Sequence, residues 1–508
     1  MHTLGDASYS GPPFRLTSRS IVMSESLAAP EKNFALDFVE RNRQALALLS
    51  DSVFYFGELG MQEHRSAQLM SGILEEHGFA VERGISGFPT GFMATYGKGS
   101  PVIALHTEYD ANPSNSQKAG VAEPAEITPS APGHCEGHNV NAAVLVSAAL
   151  ALRHAMERFK IPGTLRVFGA PAEEQLISRP YFVRDGYFDD VDVAFHDHIS
   201  SDLRTDYGLM QSAMVSATFT FRGESAHAAV APWKGRDALD AVVLMDMGVA
   251  QYREHMMPTM SAQRVITNGG EQPNVIPAKA AVWWYFRDVN AEGARKLFDQ
   301  AKKIAQGAAL MTNTEVEVEV MAAVWPSRGN QVMAEAVQRN IEAIGLPSWT
   351  EEEQSFALAL QKKAGVKEEG LRRRPAPLSG PSKQGSSSND SGDVSWKVPM
   401  VRVQFPANVP GISYHHWAAG AALATSIAHK GGLAGAKALA ASVLDFLRDP
   451  ALVAAAKEGF RREIGEMSYR PLLPEGQKPP VELNAVAMAK FRPLMEAHYV
   501  RERPVFRV

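Results

Sequence analysis

The stretch Ala131-Pro-Gly-His-Cys-Glu-Gly-His-Asn-Val-Asn-Ala-Ala143 sets four potential metal ligands, His134, Cys135, Glu136 and His138, between glycines and an apolar helical run from Asn141 to Arg158. Such a segment suits a cation better than a core. Glycine lets the backbone approach closely, and Asn139 or Asn141 can cap the helix, leaving the ligands at its partly positive N-terminus. Three further clusters follow apolar runs. Val102 to Leu105 leads into His106-Thr-Glu-Tyr-Asp110, Thr164 to Phe168 into Ala170-Pro-Ala-Glu173-Glu174, and Val191 to Phe195 into His196-Asp-His198. Each discharges carboxylates or imidazoles at the carboxyl end of an expected strand, where ligands gather in α/β sheets. A pair of divalent ions needs mixed nitrogen and oxygen ligands, an open position, and a free carboxylate to take a proton from water acidified by the cation. Adjacent residues leaving a strand point apart, so Glu173 and Glu174 can divide the work, one as ligand and one as general base. Tyr414-His415-His416-Trp417 adds two imidazoles near the C-terminus, whereas His429 reads as a surface or core residue.

These clusters need a framework. Helical spacing of Phe34, Phe38, Val39, Leu46 and Leu49 predicts a helix over 33–50, and a second follows over 62–77. Strands are expected at 79–82, 91–96 and 101–106, alternating with helices as in a sheet covered on both faces. Residues 212–324 read as strand, helix, strand, strand, helix, strand, a split βαβ layout small enough to be an inserted domain. Residues 368–391, with Arg372-Arg-Arg374, prolines and Gly385-Ser-Ser-Ser-Asn-Asp390, read as a mobile surface excursion. The proline-bearing tail offers no legible chemistry. The chain has 508 residues, 45% of them apolar, enough for two or three domains. A net charge of −5 without a long Lys/Arg block gives no sign of a nucleic-acid or membrane-surface partner, so a small-molecule ligand is expected. The first thirty residues lack a signal-peptide core, with Met23 a candidate start, and no apolar run approaches the ~20 residues of a membrane span. A single cysteine suits a reducing compartment, and a cytoplasmic protein is expected.

Together these segments carry a resemblance. His106-Thr-Glu-Tyr-Asp-Ala-Asn-Pro113, the Gly133-to-Asn139 element, Pro171-Ala-Glu-Glu174, Phe195-His-Asp-His198, Gly223-Glu-Ser-Ala-His-Ala-Ala229, Pro273-Asn-Val-Ile-Pro277 and Gly392-Asp-Val-Ser-Trp396 run in order. The sequence resembles the dinuclear metallo-amidohydrolases of the aminoacylase and glutamate-carboxypeptidase family, especially the branch of aminobenzoyl-glutamate and auxin-conjugate hydrolases. The resemblance implies an aminopeptidase-like α/β catalytic domain, a mixed sheet with helices on both faces, built from residues 31–211 and 326–470. A ferredoxin-like α+β lid and dimerisation domain is inserted at 212–325, with a disordered extension at 1–30 and a tail at 471–508. It further implies two divalent ions, Mn²⁺ or Zn²⁺, held by Glu136 as bridge and by His138, Glu174, His196 and His415. His415 is preferred to His416 by its place before Trp417. His106 is an additional candidate, because the wider family has a histidine followed two residues on by an acid. Glu173 is the implied general base. His227, Asn274 and Arg287 would grip the substrate carboxylate and the oxyanion, His227 reaching a partner subunit, with Asp393 also on the substrate side. Arg287 is apt, since its fork meets a carboxylate at two points. The branch usually has cysteine at the Glu136 position. A carboxylate there favours harder ions, with Cys135 a neighbour.

The implied reaction is hydrolysis of an amide joining an aromatic acyl group to an amino acid such as glutamate, in a homodimer or beside an unequal partner subunit. A non-catalytic or regulatory subunit and a metallo-carboxypeptidase are the alternatives. Trp233, Trp283, Trp284 and Phe356 lean towards the aromatic acyl group.

Overall fold

The structure is a computed structural model describing residues 29–378, 380–382, 384–385 and 387–508; the extension expected over 1–30 and Met23 fall almost wholly outside these. In chain order the strands are β1 (Ala80–Arg83), β2 (Phe92–Lys98), β3 (Val102–Thr107), β4 (Gly163–Gly169), β5 (Val193–Ser200), β6 (Arg204–Asp206), β7 (Gly208–Leu209), β8 (Ala213–Arg222), β9 (Ser261–Asn268), β10 (Lys279–Asp288), β11 (Glu315–Val324), β12 (Arg328–Gly329) and β13 (Met400–Pro406).

The main sheet runs β1-β2-β4-β3-β5-β13-β6. Its four central strands, β4, β3, β5 and β13, are parallel, and the flanking pairings are antiparallel. Strands buried on both faces read as continuous apolar runs, which is why Val102–Leu105 and Met400–Phe405 carry so few polar residues. One face is covered by helix His138–Phe159, backed by Pro30–Arg41, Arg43–Phe56 and Ser426–Arg448. That central helix is buried on nearly every side, as its unbroken Ala, Val and Leu content requires. The expected asparagine caps do not form. Its N-cap is Gly137 at φ 78°, while Asn139 donates to Ser50 Oγ and the Leu423 carbonyl, and Asn141 accepts from Ile199 N, so both tie the helix sideways to its neighbours. The single helix expected over 33–50 is broken at Asn42, whose side-chain amide donates to the Phe38 and Arg507 carbonyls.

β8 to β11 and the helices Ala238–Tyr252 and Ala291–Thr312 form the inserted unit, a four-stranded antiparallel sheet of order β11-β8-β10-β9. This is the ferredoxin-like arrangement that the βαββαβ order predicts. The stretch 368–391 is largely coil, but its end is not a free excursion. Ser387 accepts from Ser212 N at 2.8 Å, and Asn389 and Asp390 are buried. The tail, too, is laid back on the body. Trp325 Nε1 donates to Arg470 O, Gln477 Nε2 to Val320 O and Gln62 Nε2 to Leu483 O. Among the described residues no helix is long and apolar enough to cross a membrane.

Candidate metal centre

The carboxyl ends of β3, β4 and β5 and the start of helix His138–Phe159 bring the polar clusters together. His138, first residue of that helix, has Nδ1 3.1 Å from both Asp110 O and Oδ1, and the other Asp110 oxygen accepts from Glu174 N at 2.9 Å. A carboxylate on one ring nitrogen fixes the tautomer and leaves the other as ligand. His138 Nε2 is indeed buried with no hydrogen-bond partner, 3.7 Å from Glu173 Oε2. Burial works against a charge on this ring, but the Asp110 hydrogen bond and the charges of Glu174, Asp110 and Glu108 hold its pKa well above the usual value.

Glu173 and Glu174 lie in a tight turn, Glu173–Gln175, entered through Ala172 at φ 56° and left through Leu176 at φ 59°. The turn aims both carboxylates at the cluster on different sides of His138. Glu173 Oε1 accepts from Asn389 Nδ2 at 2.6 Å. Burial, then the Glu108 charge, pushes the Glu173 pKa well up, and burial with the Glu136 charge raises Glu174 to about 7. His415, held at φ 59°, places Nε2 3.1 Å from Glu136 and 3.3 Å from Glu174. Despite burial, which raises it, the His415 hydrogen bond and the charges of His138 and His198 bring Glu136 to about 2. His416 instead accepts from Ala418 N and caps the short helix Trp417–Gly420.

Two ligand groups overlap at His138: Glu136, His138, Glu173 and Glu174, and Glu108, His138 and His198. Whether they suit divalent ions is decided by the donors. Among the described residues the Glu174 Oε1 and His138 Nε2 atoms are buried and unpaired, and burial with the charge of neighbouring carboxylates raises the pKa values of Glu173 and Glu174. Both are what divalent ions would relieve, in exchange for protons. These residues fit such ions.

His196 and His106, expected as ligands, belong to neither group. β5 does not end at Phe195 but runs on to Ser200, so His196 and His198 lie on one face, one rung apart. His196 pairs across the sheet with His106, the rings stacked 4.9 Å apart, and donates or accepts through Nε2 to Glu108 at 3.0 Å. His198, farther along, has Nδ1 on the Ile199 carbonyl and Nε2 turned to the cluster, 3.5 Å from Glu108 Oε1. The His106–Glu108 pairing is likewise displaced by two: Asp110 supports the ligand imidazole, and His106 takes Arg179 Nε at 3.1 Å. Arg179, fully buried, also binds Glu108 and Asp390, forming a floor of charge beneath the cluster.

A cavity of about 540 Å³ opens above it, lined by Glu136, Glu173, Glu174, His198, Arg287, Asn389, Arg402 and His415, among others. Arg287 thus lines the cavity beside the cluster. Asp393 does not: it is buried, accepting from Trp325 N and Tyr469 Oη. His227 and Asn274 are exposed on the inserted unit, joined through the His227–Val275 bridge, and do not line this cavity. Nor do the four aromatic residues. Trp284 is buried within the inserted unit, Trp283 donates to Ser216, Trp233 is 77% exposed and Phe356 packs in a separate cluster, so the cavity's aromatic surface comes from Tyr285 and Tyr414. Cys135 donates to Asn112 Oδ1 at 3.0 Å and belongs to neither ligand group. Asp110, His198, Glu108 and Asn389 were legible only as residues within larger polar runs.

Known proteins share the sequence and the fold. A model of the peptidase dimerisation domain matches residues 209–311. The chain is 34% identical to a subunit of the p-aminobenzoyl-glutamate hydrolase of Escherichia coli, covering 88% of this chain and 98% of that one. It is 29% identical to the Xaa-Arg dipeptidase of Mus musculus, over 86% and 93% of the two chains. A dinuclear metal-binding peptidase of the M20 family from Bacillus subtilis shares the fold, with a TM-score of 0.52 and 17% identity over 80% of this chain and 99% of that one. The chain belongs to the dinuclear metallo-amidohydrolase and peptidase family, in the branch of the aminobenzoyl-glutamate hydrolases.

Proposed function

We propose that the protein is a metal-dependent amidohydrolase that cleaves the amide bond of an N-acyl amino acid of the aminobenzoyl-glutamate kind. The observation that carries this reading is the convergence of Glu136, His138, Glu173 and Glu174 within ligand distance of one another, beside a cavity large enough for such a substrate. Glu136, His138, Glu174, His198 and His415, with Glu108 beside His198, would hold two divalent ions, Mn²⁺ or Zn²⁺, the carboxylate-rich set suiting the harder ion. Such ions acidify water and polarise a carbonyl.

Glu173 is the residue left to move the proton. Asn389 fixes Oε1, so Oε2 faces the reacting centre, and a raised pKa matches a group that accepts a proton from water and passes it to the leaving amine. Arg287 enters from the inserted unit to take the substrate's α-carboxylate. His227 and Asn274 serve the site of a second subunit, either another copy or an unequal partner. The test is a screen of N-acyl amino acids against metal-reconstituted protein, with mass-spectrometric detection of both products. Hydrolysis that needs metal and is lost in Glu173→Ala supports the reading; full metal-dependent activity in Glu173→Ala removes the assigned base, and no turnover of any amide removes the reaction.

A further inference from the structure

The cavity has a second cationic wall that the proposed reaction does not use. Arg402 lies on β13 opposite His196, and Gln404, two residues on, pairs with His198. Both line the cavity. The Arg402 residue is 9% exposed, yet among the described residues it has no carboxylate at hydrogen-bond distance. Nη1 donates to the neutral Gln211 Oε1 at 3.2 Å, and Nη2 lies 3.9 Å from both Met210 Sδ and Asp206 Oδ2. Nε is buried and unpaired. Asp206 is already bound to Arg204 at 2.9 Å, so one carboxylate stands between two guanidiniums. Burial lowers the Arg402 pKa, only partly offset by the charge of Asp206.

A buried guanidinium carries five donors in a rigid fork, and leaving them unmatched is costly unless something anionic enters. Gln404 is placed to help: Arg204 Nε takes its amide oxygen at 3.0 Å, which leaves its NH₂ group as a donor. Arg287, which also lines the cavity, bonds Gln263 and Ser388, both neutral. Two guanidiniums thus face one cavity, one from each structural unit. A substrate with a single carboxylate would match only one.

We propose that Arg402, with Gln404, is a specificity-determining site for the substrate's amino-acid side chain, binding a second carboxylate and so selecting amides of acidic amino acids over neutral and basic ones. The inference rests on the reading of the chain as an N-acyl amino acid hydrolase, with Arg287 on the α-carboxylate. Its test compares N-benzoyl-glutamate with N-benzoyl-glutamine, which differ in charge but hardly in shape. In metal-loaded wild type, kcat/KM favours the glutamate amide. In Arg402→Gln that ratio falls roughly 10- to 100-fold, the loss of one charge-assisted fork, mainly through KM for the glutamate amide. Arg402→Lys, which keeps the charge without the fork, retains an intermediate ratio and guards against a folding defect. Calorimetric binding of the same two ligands to metal-loaded Glu173→Ala reads the site without turnover, and the same loss is expected in Kd. Equal losses on both ligands, or no preference in wild type, overturn the proposal. Charge-selective binding that depends on Arg402, in a protein that hydrolyses neither amide, upholds the site while the hydrolase reading falls.

Discussion

Replacing Arg179 with methionine tests whether the floor of the metal centre is held by charge. The guanidinium is fully buried and binds Glu108, Asp390 and His106 Nδ1 at once, while Asp390 also accepts from Arg179 N at 3.0 Å and Ser178 Oγ at 3.3 Å. Methionine fills much of the same volume but strands two buried carboxylates. Breaking a buried ion pair by removing one partner costs about 3–5 kcal/mol. With two acids left behind, the upper half of that range is expected, a large share of the ~5–15 kcal/mol that holds a typical domain together. The charge account makes a further demand. Asp390→Asn added to Arg179→Met removes one stranded acid and should recover about 1–3 kcal/mol, the desolvation penalty of an unsatisfied group. The assay is the urea-unfolding midpoint of chelator-treated protein at neutral pH, converted through the slope of the transition. A second readout follows from the chain path: Asp390 neighbours Asn389, which holds Glu173, so Arg179→Met should also lower kcat in metal-loaded protein. If Arg179→Met stays within about 1 kcal/mol of wild type, or if the second substitution deepens the loss, the floor is not held by that charge pairing.

Gly137→Ala should reduce bound metal per chain, read by atomic emission, because the added Cβ would sit 2.3 Å from Ile199 Cδ1 at a φ of +78° between Glu136 and His138. The backbone strain alone is worth about 1–2 kcal/mol, and unchanged metal content would show that the loop yields without moving its ligands. His198→Ala should lower metal stoichiometry, whereas His196→Ala should keep it and lose stability by about 1–3 kcal/mol as Glu108 gives up one of its hydrogen bonds; the opposite pattern returns the ligand role to His196. His154 is held at about 4 by burial and by the charges of Arg153 and His77. A base whose pKa is depressed on folding adds stability above its unfolded value, and that stability drains as pH falls from about 6.5 towards about 4. A melting series over that window should therefore be flatter for His154→Gln than for wild type, and parallel curves would contradict the assignment.

The two structural units and the metal-bearing loop were legible because each leaves a local mark. Alternation of strand and helix periods marks the inserted unit, and ligands packed between glycines mark the loop. The choice between His196 and His198 was not legible. β5 is buried on both faces throughout, so no change of polarity marks where it stops, and both imidazoles lie on the same face. A shift of two residues then decides which one joins the candidate ligand group. Arg402 was hidden for the same reason, inside a run that reads as ordinary buried strand. Asn389 and Asp390 escaped because serine- and glycine-rich composition reports a coil correctly but says nothing of what that coil touches: their burial depends on Arg179 and Glu173, more than two hundred positions away. The aromatic residues misled because composition counts side chains without saying which wall they form.

An inserted domain is normally tied to its host by the two chain crossings that enter and leave it. Here a third tie runs outside them. Tyr469 Oη holds Asp393 and Trp325 holds Arg470 O at the junction, Gln477 reaches Val320 on β11, and the next residues are gripped by Arg184, Tyr181 and Gln62. The segment works like the check strap on a door. Rotation of the β8–β11 unit away from the main sheet must detach Gln477 as well as strain the two crossings, so the seating of the unit that carries Arg287 depends in part on a segment far along the chain.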